Sequence, residues 1–136
     1  MGGEAGRVVL DTDVLVDFLK GVPRAVELVR GLREKGAALA TTVVNIFELA
    51  WGAHRVGRAR DVEGLADAMV VLSLTPREAV RAGEEAAYLS SIGLAIDVRD
   101  LLIGVIAREN GYGVATGNLR HFTKIRGLTV VPYQRG

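Results

Sequence analysis

The chain has 136 residues, 49% of them apolar, with 17 basic side chains against 16 acidic ones. That length and apolar content suit one compact domain and argue against a second, while the near-neutral balance means that any contact with nucleic acid must be local rather than driven by a global field. With no cysteine and only two histidines, disulfides and thiolate metal sites are excluded and zinc is a poor fit, which leaves oxygen as the main ligand type.

Arg7 to Asp17 reads RVVLDTDVLVD. Its β-branched run Val8-Val9-Leu10 predicts a buried parallel strand covered on both faces, stopped by Asp11-Thr12-Asp13. Ligands of open α/β sheets gather at the carboxyl ends of strands, so Asp11 stands where chemistry is usually done; Asp is also a favoured N-cap, and the two readings weigh about equally here. Val14 to Lys20 predicts a short helix, broken by Gly21-Val22-Pro23. The next helix carries Ala25, Leu28, Val29 and Leu32 at helical spacing and stops at Gly36. Ala37 to Thr41 predicts a second strand ending on the hydroxyls Thr41-Thr42, followed by helices from Val44 to His54 and from Asp61 to Ala68.

Met69 to Leu74 is a third strand. Thr75-Pro76-Arg77-Glu78 then combines an N-cap, a proline in the first turn and a glutamate at the third position, a strong helix start. That helix runs to Ser91 with small residues at Ala79, Ala82, Gly83, Ala86 and Ala87, a packing or dimer face. Asp97 to Asn110 is apolar through Val98, Leu101, Leu102, Ile103, Val105 and Ile106, which predicts a largely buried helix ended by Gly111. Gly113 to Thr116 forms a strand, Asn118 to Ile125 a turn with a short helix, and Leu128 to Val131 a last strand. This alternation argues for an α/β sandwich with a parallel sheet. Only Met1–Gly6 and Gln134–Gly136 read as loose ends. No stretch approaches the ~20 apolar residues of a membrane span, and the start lacks a secretory layout, so a soluble, cytoplasmic protein is expected. Gly at position 6 rules against reading Met1-Gly2 as a myristoylation signal.

The polar residues at the joints fall on one edge of this sheet: Asp11, Glu48, Asp97, Asp100, Thr116 and Asn118. Each has a capping explanation, with Asn45 and Glu48 forming one box and Asp97 and Asp100 a similar pair. Together, however, several carboxylates at one pocket repel one another unless a cation sits between them. Oxygen ligands without cysteine or clustered histidine select Mg²⁺ or Mn²⁺. Asp97 and Asp100, three apart, can face the pocket from one side of a helix.

The stretches VVLDTDVLVDFL, TTVVNIFELAWGA and DLLIGVIARENGYGVATGNLRHFTKI, in that order and at that spacing, resemble the PIN-domain ribonucleases and, among them, the VapC toxins of toxin–antitoxin pairs. The resemblance covers nearly the whole chain. It implies a five-stranded parallel sheet flanked by helices and metal-dependent cleavage of RNA. Asp11, Glu48 and Asp100 stand where the family keeps its acids. It further implies a VapB-like antitoxin and a homodimer. The family often has a fourth acid where this chain has Asn118, which can hold a metal-bound water but supplies no charge. Asp97 compensates for that or simply caps, and Asp13, where relatives often have Asn, fixes the loop rather than binding metal. A basic antitoxin side chain pushed among the acids would mimic a missing metal, its segment covering an apolar groove near the first helices. His121 reads as a rim residue beside a buried Phe122 rather than a general base. The runs His54-Arg55 with Arg58 and Arg60, and Arg120, Lys124 and Arg126, can grip phosphates or serve as solvated helix faces. Two alternatives stay open: a catalytically inactive PIN module, and a haloacid-dehalogenase-like phosphotransferase suggested by Asp11-Thr12-Asp13-Val14, which would need a lysine at a later strand end.

Overall fold

The computed structural model describes residues 6–134; the expectations for Met1-Gly2 and for the chain ends fall largely outside them. The elements run β1 (Arg7–Leu10), α1 (Thr12–Leu19), α2 (Pro23–Glu34), β2 (Ala38–Thr42), α3 (Val43–Arg55), α4 (Ala59–Ala68), β3 (Val70–Leu72), α5 (Pro76–Ser91), α6 (Val98–Glu109), β4 (Gly113–Thr116), α7 (Leu119–Phe122) and β5 (Val130–Pro132). All five strands are parallel, in the order β3-β2-β1-β4-β5. The expected parallel α/β sandwich is therefore the observed one.

Alternation along β1 explains the layers, because successive strand side chains point to opposite faces. Val9 joins a core with Val44, Leu89, Ile103, Ile106 and Phe122 under α5 and α6. Val8 and Leu10 join the other core, with Val14, Leu15, Ala25, Val29 and Leu49 under α1, α2 and α3. Each fully buried Val or Leu of this kind contributes about 1.5–3 kcal/mol, so a charge at Val8 would disrupt the core under α1, α2 and α3, and one at Val9 the core under α5 and α6. Chain order reverses at β1, whose neighbours are β2 on one side and β4 on the other. That places a crevice at the carboxyl ends of β1 and β4, the usual ligand position in open α/β sheets.

Some boundaries differ from the sequence expectation for local reasons. β2 passes directly into α3, and Thr42 caps the helix: its hydroxyl accepts from Asn45 N (3.2 Å), and Asn45 Oδ1 accepts from Thr42 N (3.2 Å) and Thr42 Oγ1 (2.8 Å). The capping box is thus Thr42 with Asn45, not Asn45 with Glu48, because a strand that turns straight into a helix leaves its last hydroxyl to do the capping. β3 stops at Leu72 rather than Leu74, since its partner β2 ends at Thr42. The Thr75–Glu78 box forms as expected. α6 is buried through Leu101, Ile103, Val105 and Ile106, but Val98 lies in its first turn and is 66% exposed. On α5, Ala82 packs in the core and Ala86 against it, while Ala79, Gly83 and Ala87 remain exposed. Gly111 ends α6 at φ 79°, a conformation glycine adopts without strain.

Candidate active site

Three elements bring carboxylates to the β1/β4 crevice. Asp11 follows β1, buried at 6% exposure, and three donors fix it: Thr12 N (2.8 Å), Asn45 Nδ2 (3.0 Å) and Thr116 Oγ1 (2.7 Å). Asp11 does cap α1, so capping and site geometry are the same arrangement seen from two sides. Glu48 projects from α3, its Oε1 accepting from Thr12 Oγ1 at 2.6 Å. Asp100 comes from the first turn of α6. Its Oδ2 accepts from Asn118 Nδ2 (2.7 Å) and lies 2.8 Å from His121 Nδ1. A pocket of about 320 Å³ is lined by Asp11, Thr12, Asp13, Val16, Glu48, Asp100 and Asn118.

The electrostatics of this pocket are unfavourable without a cation. Burial pushes the Asp11 carboxyl up to about 7; the Thr116 and Thr12 donors pull it back, and the charges of Asp13 and Asp100 push it further. The oxygens present are the hard donors that Mg²⁺ and Mn²⁺ prefer. Among the described residues, no three Asp, Glu or His side chains stand close enough together to enclose an ion as they are. Both oxygens of Glu48 have protein partners: Thr12 Oγ1 donates to one, and Arg99 Nη1 lies 3.5 Å from the other.

The remaining expected residues sort by contact. Thr116 donates to Asp11 and accepts from Asn118 N (3.0 Å). Asp13 ties the two loops of the site together, accepting from Val14 N and from Gly117 N, each at 2.8 Å. Asp97 caps α6 by accepting from Arg99 N (2.8 Å) and does not line the pocket. Phe122 is fully buried, whereas His121 reaches inward to Asp100, nearer the acids than a rim position suggests. Of the basic runs, Arg126 is committed to Glu85 and to the Tyr88 ring, and Arg58 pairs with Asp61. No lysine lines the pocket, which removes the feature that the phosphotransferase alternative required.

Sequence reading missed three participants. Thr12 and Asn45 form a chain in which Asn45 Nδ2 donates to Thr12 Oγ1 (2.9 Å) as well as to Asp11, so one buried amide sets the spacing of two acids. The available signal was an asparagine inside the apolar run Val43-Val44-Asn45-Ile46-Phe47, one helical turn before Glu48 and hence on its face. The third is Arg99, adjacent to Asp100. Beside the acid pocket, and sharing Thr12, Val16 and Glu48 with it, lies an apolar groove of about 310 Å³ that continues along Leu19, Leu49, Ala53, Val56 and Val62.

Comparison with known proteins gives a consistent picture. The PIN domain family model matches residues 8–128. Ribonuclease VapC2 of Haemophilus influenzae is 24% identical over 126 residues, covering 90% of this chain and 94% of that protein. The tRNA(fMet)-specific endonuclease VapC of Salmonella typhimurium is 26% identical over 128 residues, covering 91% and 96%. Among solved structures, DNA-bound VapBC from Salmonella typhimurium shares the fold with a TM-score of 0.80 at 23% identity, over 95% of this chain and 99% of that one.

Proposed function

This chain belongs to the PIN-domain family, and from that membership we propose that it is the ribonuclease toxin of a toxin–antitoxin pair, hydrolysing RNA phosphodiester bonds with Mg²⁺ or Mn²⁺ held by Asp11, Glu48 and Asp100. The observation that carries this reading is the convergence of those three carboxylates, each from a different element, on one pocket. The names of the relatives, a ribonuclease and a tRNA endonuclease, support the substrate class.

A divalent cation bound there supplies Lewis-acid polarisation of the phosphodiester and a lowered pKa for water. The chain's own residues prepare that chemistry. Asp11 is held by three donors and cannot turn away. Asp100 is anchored on the buried helix α6 and oriented by Asn118 and His121, while Glu48 is the adjustable member, able to rotate from Arg99 toward the ion. Asn118 contributes no charge, so in this reading it positions Asp100 and the water rather than compensating a metal. Thr116 and Asp13 hold the β4–α7 turn against Asp11.

The apolar groove beside Glu48 is the proposed seat of an antitoxin segment, and the exposed Ala79, Gly83 and Ala87 on α5 offer a face for self-association. The test is an assay of the purified chain on generic RNA. Cleavage should require Mg²⁺ or Mn²⁺, stop on addition of a chelator and be suppressed by an antitoxin peptide. RNA that is bound but left intact with either ion would favour the inactive binding module instead.

A further inference from the structure

We propose that Arg99 is the side chain that receives the RNA phosphate, and that in the free chain it is parked on Glu48 and Asp97. This rests on the ribonuclease reading and adds a substrate contact to it. Three observations converge on Arg99.

The first is place. Arg99 precedes Asp100 on α6, and its Nη1 reaches across to Glu48 Oε2 on α3 at 3.5 Å. Like His121 on Asp100, it stands within ion-pair distance of a pocket carboxylate. The second is charge. Asp11, Glu48 and Asp100 line the pocket; a divalent ion offsets two of their three charges, so a phosphate approaching the loaded site still meets net repulsion. A guanidinium at the mouth is the complement such a substrate lacks, and its planar fork matches a phosphate bidentately.

The third is orientation. Asp97, fixed by its cap on Arg99 N (2.8 Å), also accepts from Arg99 Nε (3.3 Å). That bond aims the guanidinium while leaving the side chain 44% exposed. Asp97 thereby acquires a part in the site without touching metal: it holds the arginine. Glu48 is the carboxylate that an ion and Arg99 both use, so loading the metal releases the arginine for the substrate. The two events are an exchange on one side chain.

The exchange has opposite signs in one variant, which distinguishes it from a merely structural ion pair. Arg99→Gln, in the full chain with parental melting temperature, should bind Mn²⁺ several-fold more tightly by calorimetry without RNA, because Glu48 loses its competitor. The same variant should bind a labelled single-stranded RNA in Ca²⁺ about tenfold more weakly by anisotropy, with the salt dependence reduced by about one unit of slope. Its kcat/KM in Mn²⁺ should fall about 10- to 100-fold. Arg99→Lys should fall between, since it keeps the charge and loses the fork. Arg99→Gln that binds and cleaves RNA within twofold of an active parent overturns the proposal alone, as does a loss of Mn²⁺ affinity together with RNA affinity. A parent that neither binds nor cleaves RNA overturns the ribonuclease reading, and this one with it.

Discussion

Two buried carboxylates in this chain have opposite fates. Glu85, 2% exposed, pays the desolvation cost of burial, yet Arg126 N (3.0 Å), the Arg126 guanidinium (3.2 Å) and Arg108 (3.1 Å) surround it, and its pKa ends below the ordinary value. Asp11 is buried nearly as deeply and has good hydrogen bonds, but no cation faces it among the described residues, and its pKa is raised to about 7. Hydrogen bonds satisfy both groups; the sign of the neighbouring charges separates them, arginines at Glu85 and the carboxylates of Asp13 and Asp100 at Asp11. Glu85 shows what a finished structural ion cluster looks like here, and Asp11 shows a site still short of positive charge.

The sharpest way to break that contrast is Asp100→Asn. The substitution keeps the shape of the side chain and removes one charge from the proposed cation site, so RNA cleavage should fall by orders of magnitude. Melting of the cation-free protein should hold or rise, and its stabilisation by added Mn²⁺ should shrink. A variant that melts, responds to Mn²⁺ and cuts RNA like the parent would sink the assignment.

Neutralising the two contrasted acids should move stability in opposite directions. Glu85→Gln strips the partner from two arginines, one of them half-exposed, and should cost about 1–2 kcal/mol in denaturant unfolding. Asp11→Asn removes a strained charge and should gain about 1–3 kcal/mol near pH 8 in the absence of metal. If both variants were destabilised alike, the distinction between a finished cluster and an unfinished site would fail.

A smaller effect is the pH profile of the parent. Between its ordinary 3.8 and its folded value of about 7, Asp11 is protonated in the folded chain and ionised in the unfolded one. The folded state binds more protons there, and stability falls as pH rises. Glu85 has the opposite sign: its contribution is full above its unfolded pKa and is lost as pH falls through the depressed folded one. The cation-free protein should therefore melt highest at about pH 4–5, where Glu85 is ionised in both states and Asp11 is still protonated in the folded one, and lower near pH 8, with Mn²⁺ flattening the decline. Equal melting temperatures across that range would remove Asp11 as the strained group.

Much of the fold was legible because it is written in local patterns. The β-branched run of β1, the Thr75–Glu78 box and the apolar face of α6 each name their element from neighbouring residues, and strand–helix alternation then implies a parallel sheet. The site was legible only as a set of residues at one edge. What joins them lies far apart in sequence: Asn45 to Asp11, Asp100 to His121, Arg99 to Glu48. Local spacing says nothing of such contacts, which is why Asn45 read as the partner of Glu48 in a cap and Val98 as a core residue. The cap went to Thr42 because β2 has no loop after it, and Val98 stays outside because the first turn of α6 extends beyond the core.

The Asn45 amide has a dynamic consequence. Its oxygen closes the first turn of α3 and its nitrogen holds Asp11 and Thr12, so helix initiation and carboxylate placement share one opening equilibrium. Fraying of that turn would release both at once. Amide hydrogen exchange at Asn45 and at Asp11–Thr12 should then report a common opening free energy. A partner lying along α3 could slow that exchange and quiet the site without touching an acid.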